Sequence, residues 1–575
     1  MEHEGCDWMW PTNRWQPGTI YRERFGLRPP EARRLPSGAV RLEISVRAGN
    51  HTYGPHRWEK VTHIQPATGR KLRLPDGTCL VKAQQAPFDV FFLLRQVLEH
   101  PSGLELSAFR RAALFATHLH KEVRLLTNRY EPEAALQLQR LGVRDRLLNM
   151  YDFYQGVDRT ATAHPVDVDA LTHGMRVQQV QDSRDLRVYD GKKHFMYMAC
   201  DQLSGRLRYI NHFNLGIKTE RDNYDPLGFL SRRQMLDPVS GQAQTTMYFR
   251  PDGTVAARED AAGILTLADG TTFSTKSEAI AHWLQQLTAA KGLHVLIGDR
   301  SPEYSQFFTH NRQTNIRVIH MLHNLHVLGN LDPMTAETKR WYNFLFNPAL
   351  RSNAIVAATE QQRDDVMRRY GLTNVVAIPH AVAPMSRLEL SRDRYKIVFA
   401  GRLVQEKGPA AALMAFYKMH QSVPQAHLHF CGEGNMRATL ESRARALGLA
   451  DAVVFEGFCD NMPAMFASAG LFVSTSRNEG FSLVIGESLA AGCPVVSFDC
   501  NYGPSCMINN GVNGFLLPPG DVDGLAARMT QLLQDVALWQ TLAGNCRDSV
   551  QQLSPSAVAE LWARLLLAVA GDISL

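Results

Sequence analysis

The amino-acid sequence predicts an α/β protein with two parallel-sheet domains and an inserted antiparallel sheet. Apolar runs typical of buried strands alternate with helical segments in residues 86–157 and 275–380, and again in residues 395–554. Short runs of alternating polarity, separated by turn residues, fill residues 158–274. A chain of 575 residues, of which 45% are hydrophobic and 21% charged, is long enough to bury two cores.

The first domain begins with the apolar run at residues 88–94, which is typical of a buried strand. Pro101-Ser102-Gly103 follows as a loop, and a helix is expected at residues 105–118. Within residues 158–274, Asp252-Gly253 and Asp269-Gly270 predict hairpin turns of an antiparallel sheet. Further strands of the first domain are expected at residues 294–299, 317–321, 354–360 and 375–380.

The second domain begins after a linker at residues 381–394, with a strand at residues 396–400. Gly401 allows a sharp turn, and Arg402 and Lys407 follow on a loop before a helix at residues 409–419. A planar guanidinium and a compact ammonium together suit the oxygens of a diphosphate. A last helix is expected at residues 557–570, crossing back onto the first domain.

A second polar segment follows the strand expected at residues 471–474. Its loop carries Glu479, and residues 480–482 open a helix that carries Glu487. Because the first amides of a helix lack partners, those of Phe481, Ser482 and Leu483 are expected to receive a diphosphate. Glu487 lies about two turns further along, where it would meet ribose hydroxyls.

Taken singly, each of these polar residues is weak evidence, since a cation after a strand usually lies on a solvated surface. Their order, with each group at the carboxyl end of a predicted strand, favours one site for a sugar nucleotide. With these motifs the chain resembles the retaining glycosyltransferases of family four, over residues 86–575. The resemblance implies the GT-B architecture, in which two Rossmann-like domains face each other across a cleft.

The family resemblance implies roles for individual residues. Arg402 and Lys407 would bind the donor diphosphate, Glu487 the ribose, and Glu479 would lie beside the transferred sugar. Gly434, in the turn Gly432-Glu433-Gly434, would lie near the nucleotide base. His323 would lie near the transferred sugar. Gly103 is the one glycine left where family members have two adjacent glycines that let the backbone approach the donor and the acceptor, so Gly103 would contact the donor. The resemblance thus implies Glu479, His323, Arg402 and Lys407 as catalytic residues.

Tyr502-Gly503-Pro504-Ser505 is similar to a subgroup that contains wall teichoic acid α-glycosyltransferases and the N-acetylglucosaminyltransferases of serine-rich adhesins. This implies a UDP-sugar donor, UDP-GlcNAc or UDP-glucose, and transfer with retained α configuration. It also implies a polyol-phosphate polymer or a protein serine or threonine as acceptor, and a homo-oligomer formed through the inserted sheet. No metal and no cofactor besides the donor is expected. The alternative is a silent paralogue that binds an acceptor or a partner transferase.

The net charge of +6 lies entirely in the N-terminal extension, residues 1–85, which holds fourteen Lys and Arg against eight Asp and Glu. Such a segment could attract an anionic polymer, a membrane surface or nucleic acid, or be a solvated accessory domain. The tryptophans of this extension either stack on acceptor sugars or anchor a small core: Trp8, Trp10, Trp15 and Trp58. No nucleic-acid-reading motif is present, so nucleic acid is not an expected partner.

Two further features bear on location. The nine cysteines form no C-x-x-C pair, which favours reduced thiols over disulfides or a zinc site. The N-terminus lacks a basic and apolar leader, and no apolar stretch is expected to approach the roughly 20 residues that cross a bilayer. A cytoplasmic enzyme is therefore expected, and a peripheral membrane contact stays open. The sugar and the acceptor are not specified by the sequence.

Overall fold

The computed structural model describes residues 46–48, 51–53, 72, 74–75, 79–98, 101–143, 146–311, 313–329, 332–347, 350, 352–385 and 391–571. The chain divides into two units, Met1–Thr68 and Gly69–Leu575. In the first unit, strands β1 (Val46–Ala48) and β2 (His51–Tyr53) pair in antiparallel fashion. The four tryptophans of the predicted stacking surface lie outside the described residues.

A seven-stranded parallel sheet forms the first domain of the second unit. In sheet order its strands are β19 (Val375–Ala377), β18 (Ala354–Ala357), β17 (Ile316–Leu322), β16 (Leu293–Gly298), β3 (Phe88–Leu93), β4 (Val123–Thr127) and β5 (Leu147–Asn149). The central strands β3 and β16 are covered on both faces, which explains their continuous apolar sequences. The strand order reverses between β3 and β16, so the loops after these strands meet at one edge.

Helices cover both faces of this sheet. They are α1 (Leu80–Gln85), α2 (Gly103–His118), α3 (Ala134–Arg140), α4 (Met150–Gln155), α6 (Lys276–Leu287), α7 (Ser305–His310) and α8 (Glu360–Tyr370). Helix α2 begins two residues before its predicted start, because Ser102 and Glu105 form a reciprocal capping box there. Its buried face includes Phe109 and Phe115, which join the core of the first domain.

A ten-stranded antiparallel sheet interrupts the first domain, as predicted. The short helix α5 (Val168–Leu171) precedes this sheet in the chain. The strands of the sheet are, in chain order, β6 (Arg176–Gln179), β7 (Leu186–Asp190), β8 (Lys193–Cys200), β9 (Leu207–Asn214), β10 (Ile217–Tyr224), β11 (Leu230–Leu236), β12 (Ala243–Phe249), β13 (Val255–Asp260), β14 (Leu265–Leu267) and β15 (Thr272–Phe273). Asp252-Gly253 and Asp269-Gly270 lie in two of its turns. Every strand pairs with its neighbour in sequence, which short turns allow.

Two hairpin ends of this inserted sheet carry exposed apolar side chains. Leu215 is 83% exposed and Val239 is 94% exposed. Single exposed apolar residues are common on protein surfaces. The homo-oligomer expected through this sheet therefore stays a prediction.

The second domain contains a six-stranded parallel sheet. In sheet order its strands are β22 (Val453–Gly457), β21 (His427–Cys431), β20 (Asp393–Ala400), β23 (Ala469–Ser474), β24 (Val495–Phe498) and β25 (Gly514–Leu517). Its helices are α9 (Pro409–His420), α10 (Arg437–Ala446), α11 (Met462–Ser468), α12 (Leu483–Ala490), α13 (Val522–Gln534) and α14 (Val536–Cys546). The strand order reverses between β20 and β23, and ligands of such sheets bind at the carboxyl ends of the strands at this point.

The last helix, α15 (Pro555–Gly571), packs on the first domain rather than on the second. Val558, Trp562 and Leu566 are buried in the same core as β3 and α2. The Glu560 carboxylate accepts hydrogen bonds from the backbone amides of Cys79 and Leu80, at 2.6 and 3.2 Å. The end of the chain therefore completes the domain with which the described second unit begins.

The expectation that no apolar stretch approaches membrane-spanning length requires a correction. The segment Val536–Gly571 is long and apolar enough by length and composition. In the structure it consists of α14, a 3₁₀ helix at Asp548–Leu553 and α15, and Cys546, Trp562 and Leu566 are buried within the protein. This packing is that of core helices, which pass the same composition test.

We expect the fold to lose stability in acid, because two histidines are fully buried. Burial lowers the pKa of His320 to about 3, and burial with the nearby Arg369 charge lowers that of His326 to about 4. Since an unfolded histidine titrates near 6.5, the unfolded chain binds more protons below that pH. The contribution of each neutral histidine to the free energy of unfolding is present above about pH 6.5. Below that pH the free energy of unfolding falls, by up to about 1.4 kcal/mol per pH unit for each histidine. Thermal melts between pH 7.5 and 4.5 measure this loss.

The matched variants for this prediction are His320→Gln and His310→Gln. Residue 320 lies in the core, whereas residue 310 is exposed. The first substitution should flatten the dependence of the melting temperature on pH, and the second should leave it unchanged. An equal pH dependence in His320→Gln and the parent would contradict the prediction.

Candidate active site

Two loops of the second domain contact each other backbone to backbone at the carboxyl ends of β20 and β21. The Leu403 amide donates to the Glu433 carbonyl oxygen at 2.9 Å. A Cβ atom at Gly434 would overlap the Leu403 carbonyl oxygen, which explains the glycine at this predicted base-binding position. Arg402, between these contacts, is exposed and its side chain makes no hydrogen bond or ion pair with the described residues. Its guanidinium is available to an anion.

Lys407 and Glu479, predicted from separate segments, form an ion pair. The Lys407 ammonium donates to Glu479 Oε1 at 2.6 Å, and the Ser476 hydroxyl donates to the same oxygen at 2.6 Å. Gly408 adopts the left-handed conformation, with φ of 68°, and a Cβ there would overlap the Thr475 carbonyl oxygen. The loops after β20 and β23 therefore meet at the point where the strand order reverses. Glu479 is buried, so its charge requires the lysine.

Helix α12 begins at Leu483, later than the predicted opening at residues 480–482. The reason is that Ser482 adopts a left-handed conformation, with φ of 69°, which is not helical. Within the described part of the chain, the amides of Phe481, Ser482 and Leu483 make no backbone hydrogen bond. The Ser482 hydroxyl is buried and likewise has no partner there. Unpartnered donors at a helix start suit an anion, and their contact with a diphosphate stays a prediction.

Glu487 on α12 contacts the first domain instead of standing free. Arg110 on α2 donates to Glu487 Oε1 at 2.6 Å. The arginine side chain is 50% exposed and the glutamate side chain 19% exposed. The carboxylate predicted for ribose is therefore occupied by a cross-domain ion pair. Among the described residues, neither Glu487 nor Arg402 pairs with Lys407 or Glu479.

His323, on the loop after β17, is held by a buried carboxylate. Its Nε2 atom lies 2.7 Å from Asp299 Oδ1, and Arg111 donates to both carboxylate oxygens of Asp299 at 2.6 Å. Burial by itself would raise the pKa of Asp299, but the Arg111 charge and the His323 hydrogen bond hold that pKa below its usual value. The imidazole of His323 lies parallel to that of His380, with centroids 6.0 Å apart.

A backbone contact places His323 beside the Glu479 loop. A Cβ atom at Gly480 would overlap the His323 carbonyl oxygen, so only glycine permits this approach of the two domains. The His380 ring meets Phe481 edge to face, with centroids 5.4 Å apart. A small cavity beside these contacts is lined by residues of both domains, including Arg110, Arg111, His380 and Leu483.

Gly103 is the first residue of α2, where a Cβ atom would meet nothing within 4 Å. The described structure therefore does not require glycine at this position. Its predicted donor contact stays a prediction.

Sequence reasoning missed Arg110, Arg111, Asp299 and Ser476. Asp299 is the last residue of the strand expected at residues 294–299, and Arg110 and Arg111 belong to a predicted helix whose polar face carries no motif. One signal was present: Asp299 follows β16 and His323 follows the adjacent strand β17, so their side chains are expected at one edge. The two arginines could not be assigned in this way because their partners lie far away in sequence.

One cluster of potential metal ligands occurs in the described part of the chain, on the inserted sheet. It consists of His212, Glu220 and Asp222. The Arg233 guanidinium donates to Asp222 at 2.7 Å and lies 3.0 Å from Glu220, so a cation already neutralises the carboxylates. This cluster is better described as an ion-pair network than as a metal site. At the cleft, Glu479 and Glu487 are likewise each paired with a cation.

Comparison with known proteins places these residues in a family context. Residues 385–547 match the family model described as glycosyl transferases group 1. The poly(glycerol-phosphate) alpha-glucosyltransferase of Bacillus subtilis strain 168 is 22% identical over 504 residues, covering 83% of this chain and 74% of that protein. The GtfA subunit of the UDP-N-acetylglucosamine--peptide N-acetylglucosaminyltransferase of Streptococcus gordonii is 25% identical over 458 residues. This match covers 75% of this chain and 88% of that protein.

Two solved structures have the same fold. The pneumococcal O-GlcNAc transferase GtfA, in complex with UDP and GlcNAc, superimposes with a TM-score of 0.76 at 18% identity, covering 84% of this chain and all of that one. A mutant of S. aureus TarM, in complex with fondaparinux, alpha-GlcNAc-glycerol and UDP, gives a TM-score of 0.71 at 18% identity. The match covers 83% of this chain and 99% of that one. The predicted GT-B fold with an additional antiparallel sheet is thereby confirmed.

Proposed function

We propose that this chain, whose residues 385–547 match the model of the glycosyl transferases of group 1, moves a hexose or an N-acetylhexosamine from a UDP-sugar to an acceptor hydroxyl. The donor lies between the two domains, with its diphosphate on the second. The names of similar proteins support this donor class, since they include a UDP-N-acetylglucosamine-dependent enzyme and a glucosyltransferase.

The observation that carries the proposal is the convergence of anion-binding groups at the strand reversal of the second sheet. Lys407, the exposed Arg402 and the unpartnered amides at the start of α12 all follow the carboxyl ends of β20 or β23. Together they offer two cations and a helix start to a diphosphate. The backbone of His323 approaches Gly480 from the first domain, which supports the proposal that the His323 ring lies near the transferred sugar.

In the proposed mechanism, charge grows on the leaving diphosphate as its bond to the sugar breaks. Positioned cations stabilise this charge more than they stabilise the ground state, and therefore accelerate the step. The acceptor hydroxyl attacks from the face that the diphosphate leaves, so the α configuration is retained, and the leaving phosphate takes the hydroxyl proton. Glu479 is not assigned as a nucleophile, because Glu479 and Glu487 are both assigned to donor contacts and do not flank the bond that breaks.

For the acceptor, we propose a polyol-phosphate polymer or a protein serine or threonine. This proposal follows the names of similar proteins, which act on poly(glycerol-phosphate), poly(ribitol-phosphate) and peptide. These acceptors share an unhindered hydroxyl on an extended chain. An extended acceptor is consistent with the long inserted sheet attached to the first domain.

The direct test is a panel of nucleotide sugars, with release of the nucleoside diphosphate measured without acceptor. We expect slow hydrolysis of one UDP-sugar, either UDP-GlcNAc or UDP-glucose, and faster release when an acceptor polymer or peptide is added. Binding of UDP without turnover of any donor would instead favour the silent paralogue. Absence of both binding and turnover would refute the donor assignment.

Arg110→Ala is expected to tighten UDP binding by up to about fivefold. The substitution frees Glu487 to accept hydrogen bonds from ribose, and a partly exposed ion pair contributes about 0.2–1 kcal/mol. Calorimetric titration with UDP at low and high salt measures the effect, which should shrink as salt screens the pair.

The control for this effect is Arg140→Ala, since Arg140 is also 50% exposed and lies 3.6 Å from Asp201, away from the cleft. It should leave the dissociation constant for UDP unchanged. Weaker binding in Arg110→Ala would show that the arginine contacts the nucleotide itself.

Removal of divalent metal ions is expected to leave the transfer rate unchanged within about twofold. The proposed site supplies its positive charge through Lys407, Arg402 and the start of α12, and its two glutamates are each paired with a cation. Initial rates in excess EDTA and after addition of Mg²⁺ or Mn²⁺ check this. A loss of activity that Mg²⁺ or Mn²⁺ restores would contradict it.

A further inference from the structure

We propose that Arg111 and Asp299 are positioning residues that hold His323 in one tautomer, and that Trp562 of the C-terminal helix supports them. The inference rests on the proposed function, because it concerns a ring that is proposed to lie near the transferred sugar. Its structural basis is a continuous set of contacts from α15 through α2 and β16 to the cleft.

The first contact fixes the ring of His323. Asp299 is ionised, since Arg111 donates to both of its oxygens at 2.6 Å, and an ionised carboxylate can only accept hydrogen bonds. The Nε2 atom of His323, 2.7 Å from Asp299, must therefore carry a proton. In the neutral ring the remaining nitrogen, Nδ1, is then an acceptor. His323 is thus prepared to accept a hydrogen bond from a hydroxyl group of the transferred sugar.

The second contact keeps the carboxylate ionised. The Asp299 side chain is fully buried, and a buried carboxyl group without a cation would be protonated. A protonated carboxyl group could donate to His323, which would favour the opposite tautomer. Arg111 prevents this by supplying a guanidinium whose own side chain is only 5% exposed.

The third contact supports the guanidinium from the end of the chain. The Arg111 Cζ atom lies 4.5 Å from the centroid of the Phe92 ring and 5.4 Å from that of Trp562. The Nε and Nη1 atoms of Arg111 have no hydrogen-bond partner in the described structure, so the faces of these rings are its remaining favourable contacts. Trp562 itself packs edge to face on Phe115 at 5.3 Å.

The test compares the parent protein with the double variant Arg111→Met and Asp299→Asn. Replacing both charges avoids leaving one buried charge without its partner, which would destabilise the fold. Nitrogen-15 spectra of histidine-labelled protein report the tautomer directly, and the His323 signals are assigned by their loss in His323→Gln. We expect the Nε2–H tautomer in the parent and a mixture of tautomers in the double variant.

The same pair is compared in steady-state transfer assays. The double variant should lose about 10- to 100-fold in kcat, since it loses a charge-assisted hydrogen bond to the ring. Its KM for the donor should change less than about threefold, because the diphosphate contacts are untouched. A single unchanged tautomer, or an unchanged kcat in the folded variant, would overturn the proposal. Because the tautomer is measured without substrate, failure of the proposed function would appear separately, as an inactive parent.

The contribution of α15 is tested with Trp562→Leu, Trp562→Phe and Leu566→Ala. Leu566 is buried on the same helix but has no aromatic ring to place over Arg111, so it is the control for destabilisation alone. We expect Trp562→Leu to lower kcat and to give a mixture of the two His323 tautomers. Trp562→Phe should stay closer to the parent in both kcat and tautomer. If kcat falls equally in Trp562→Leu and Leu566→Ala, in proportion to the fall in melting temperature, α15 only stabilises the fold.

Discussion

Replacing Lys407 with alanine is expected to lower kcat by about 10²–10³-fold. In the proposed mechanism the ammonium stabilises the leaving diphosphate, and in the structure it neutralises Glu479. Its loss would therefore remove a transition-state contact and leave a buried carboxylate with one fewer partner. Preorganised donors of this kind contribute about 2.7–4 kcal/mol in other enzymes. Initial rates at saturating donor measure the effect.

Two variants accompany this measurement. Arg402→Ala should lower kcat by about ten- to a hundredfold, because its guanidinium is proposed to make a charge-assisted contact with the same phosphate and supports none of the other described residues. Lys418→Ala removes an exposed lysine that pairs with Asp523 on the far surface, and should have no effect on the rate. Parental activity of Lys407→Ala would remove the central support for the proposed mechanism.

The second large effect is expected from Gly480→Ala, which should lower kcat/KM by about 10²-fold or more. The added Cβ atom would overlap the His323 carbonyl oxygen, and backbone cannot move aside as a flexible side chain can. The Glu479 loop and the His323 loop must therefore separate. A displacement of about 1 Å of reacting groups costs on the order of 10²-fold in rate.

The matched control for this substitution is Gly544→Ala on α14, since a Cβ atom there meets no other atom within 4 Å and the residue is exposed. It should preserve activity, because residue 544 has no proposed role in the site. Circular dichroism and thermal melts establish that both variants fold. Full activity of Gly480→Ala would show that the domains do not need this contact.

The sequence predicted those features that depend on local pattern. The apolar run at residues 396–400 lies within β20, which extends back to Asp393, and the helix predicted at residues 409–419 is α9, one residue longer. Lys407 and Glu479 could be assigned to one edge because each follows a strand, and parallel strands end together. Where the start of α12 was placed too early, one left-handed residue, Ser482, made the difference.

Contacts between distant segments could not be predicted in this way. Arg110 and Glu487 are 377 residues apart, and Arg111 and Asp299 are 188 residues apart. Nothing in the local sequence of α2 distinguishes its two arginines from surface residues. Their partners depend on how the two domains approach each other, which is a property of the packed molecule. The contact between Gly480 and the His323 backbone could not be predicted for the same reason, because His323 lies on the other domain.

The position of α15 also has a consequence for biosynthesis. Glu560 binds the amide of Leu80, 480 residues earlier, and Trp562 fills the core between α2 and the sheet. At about 5–20 residues per second, a ribosome makes these partners roughly half a minute to a minute and a half apart. During that interval the nascent first domain exposes the apolar surface that α15 covers in the folded molecule.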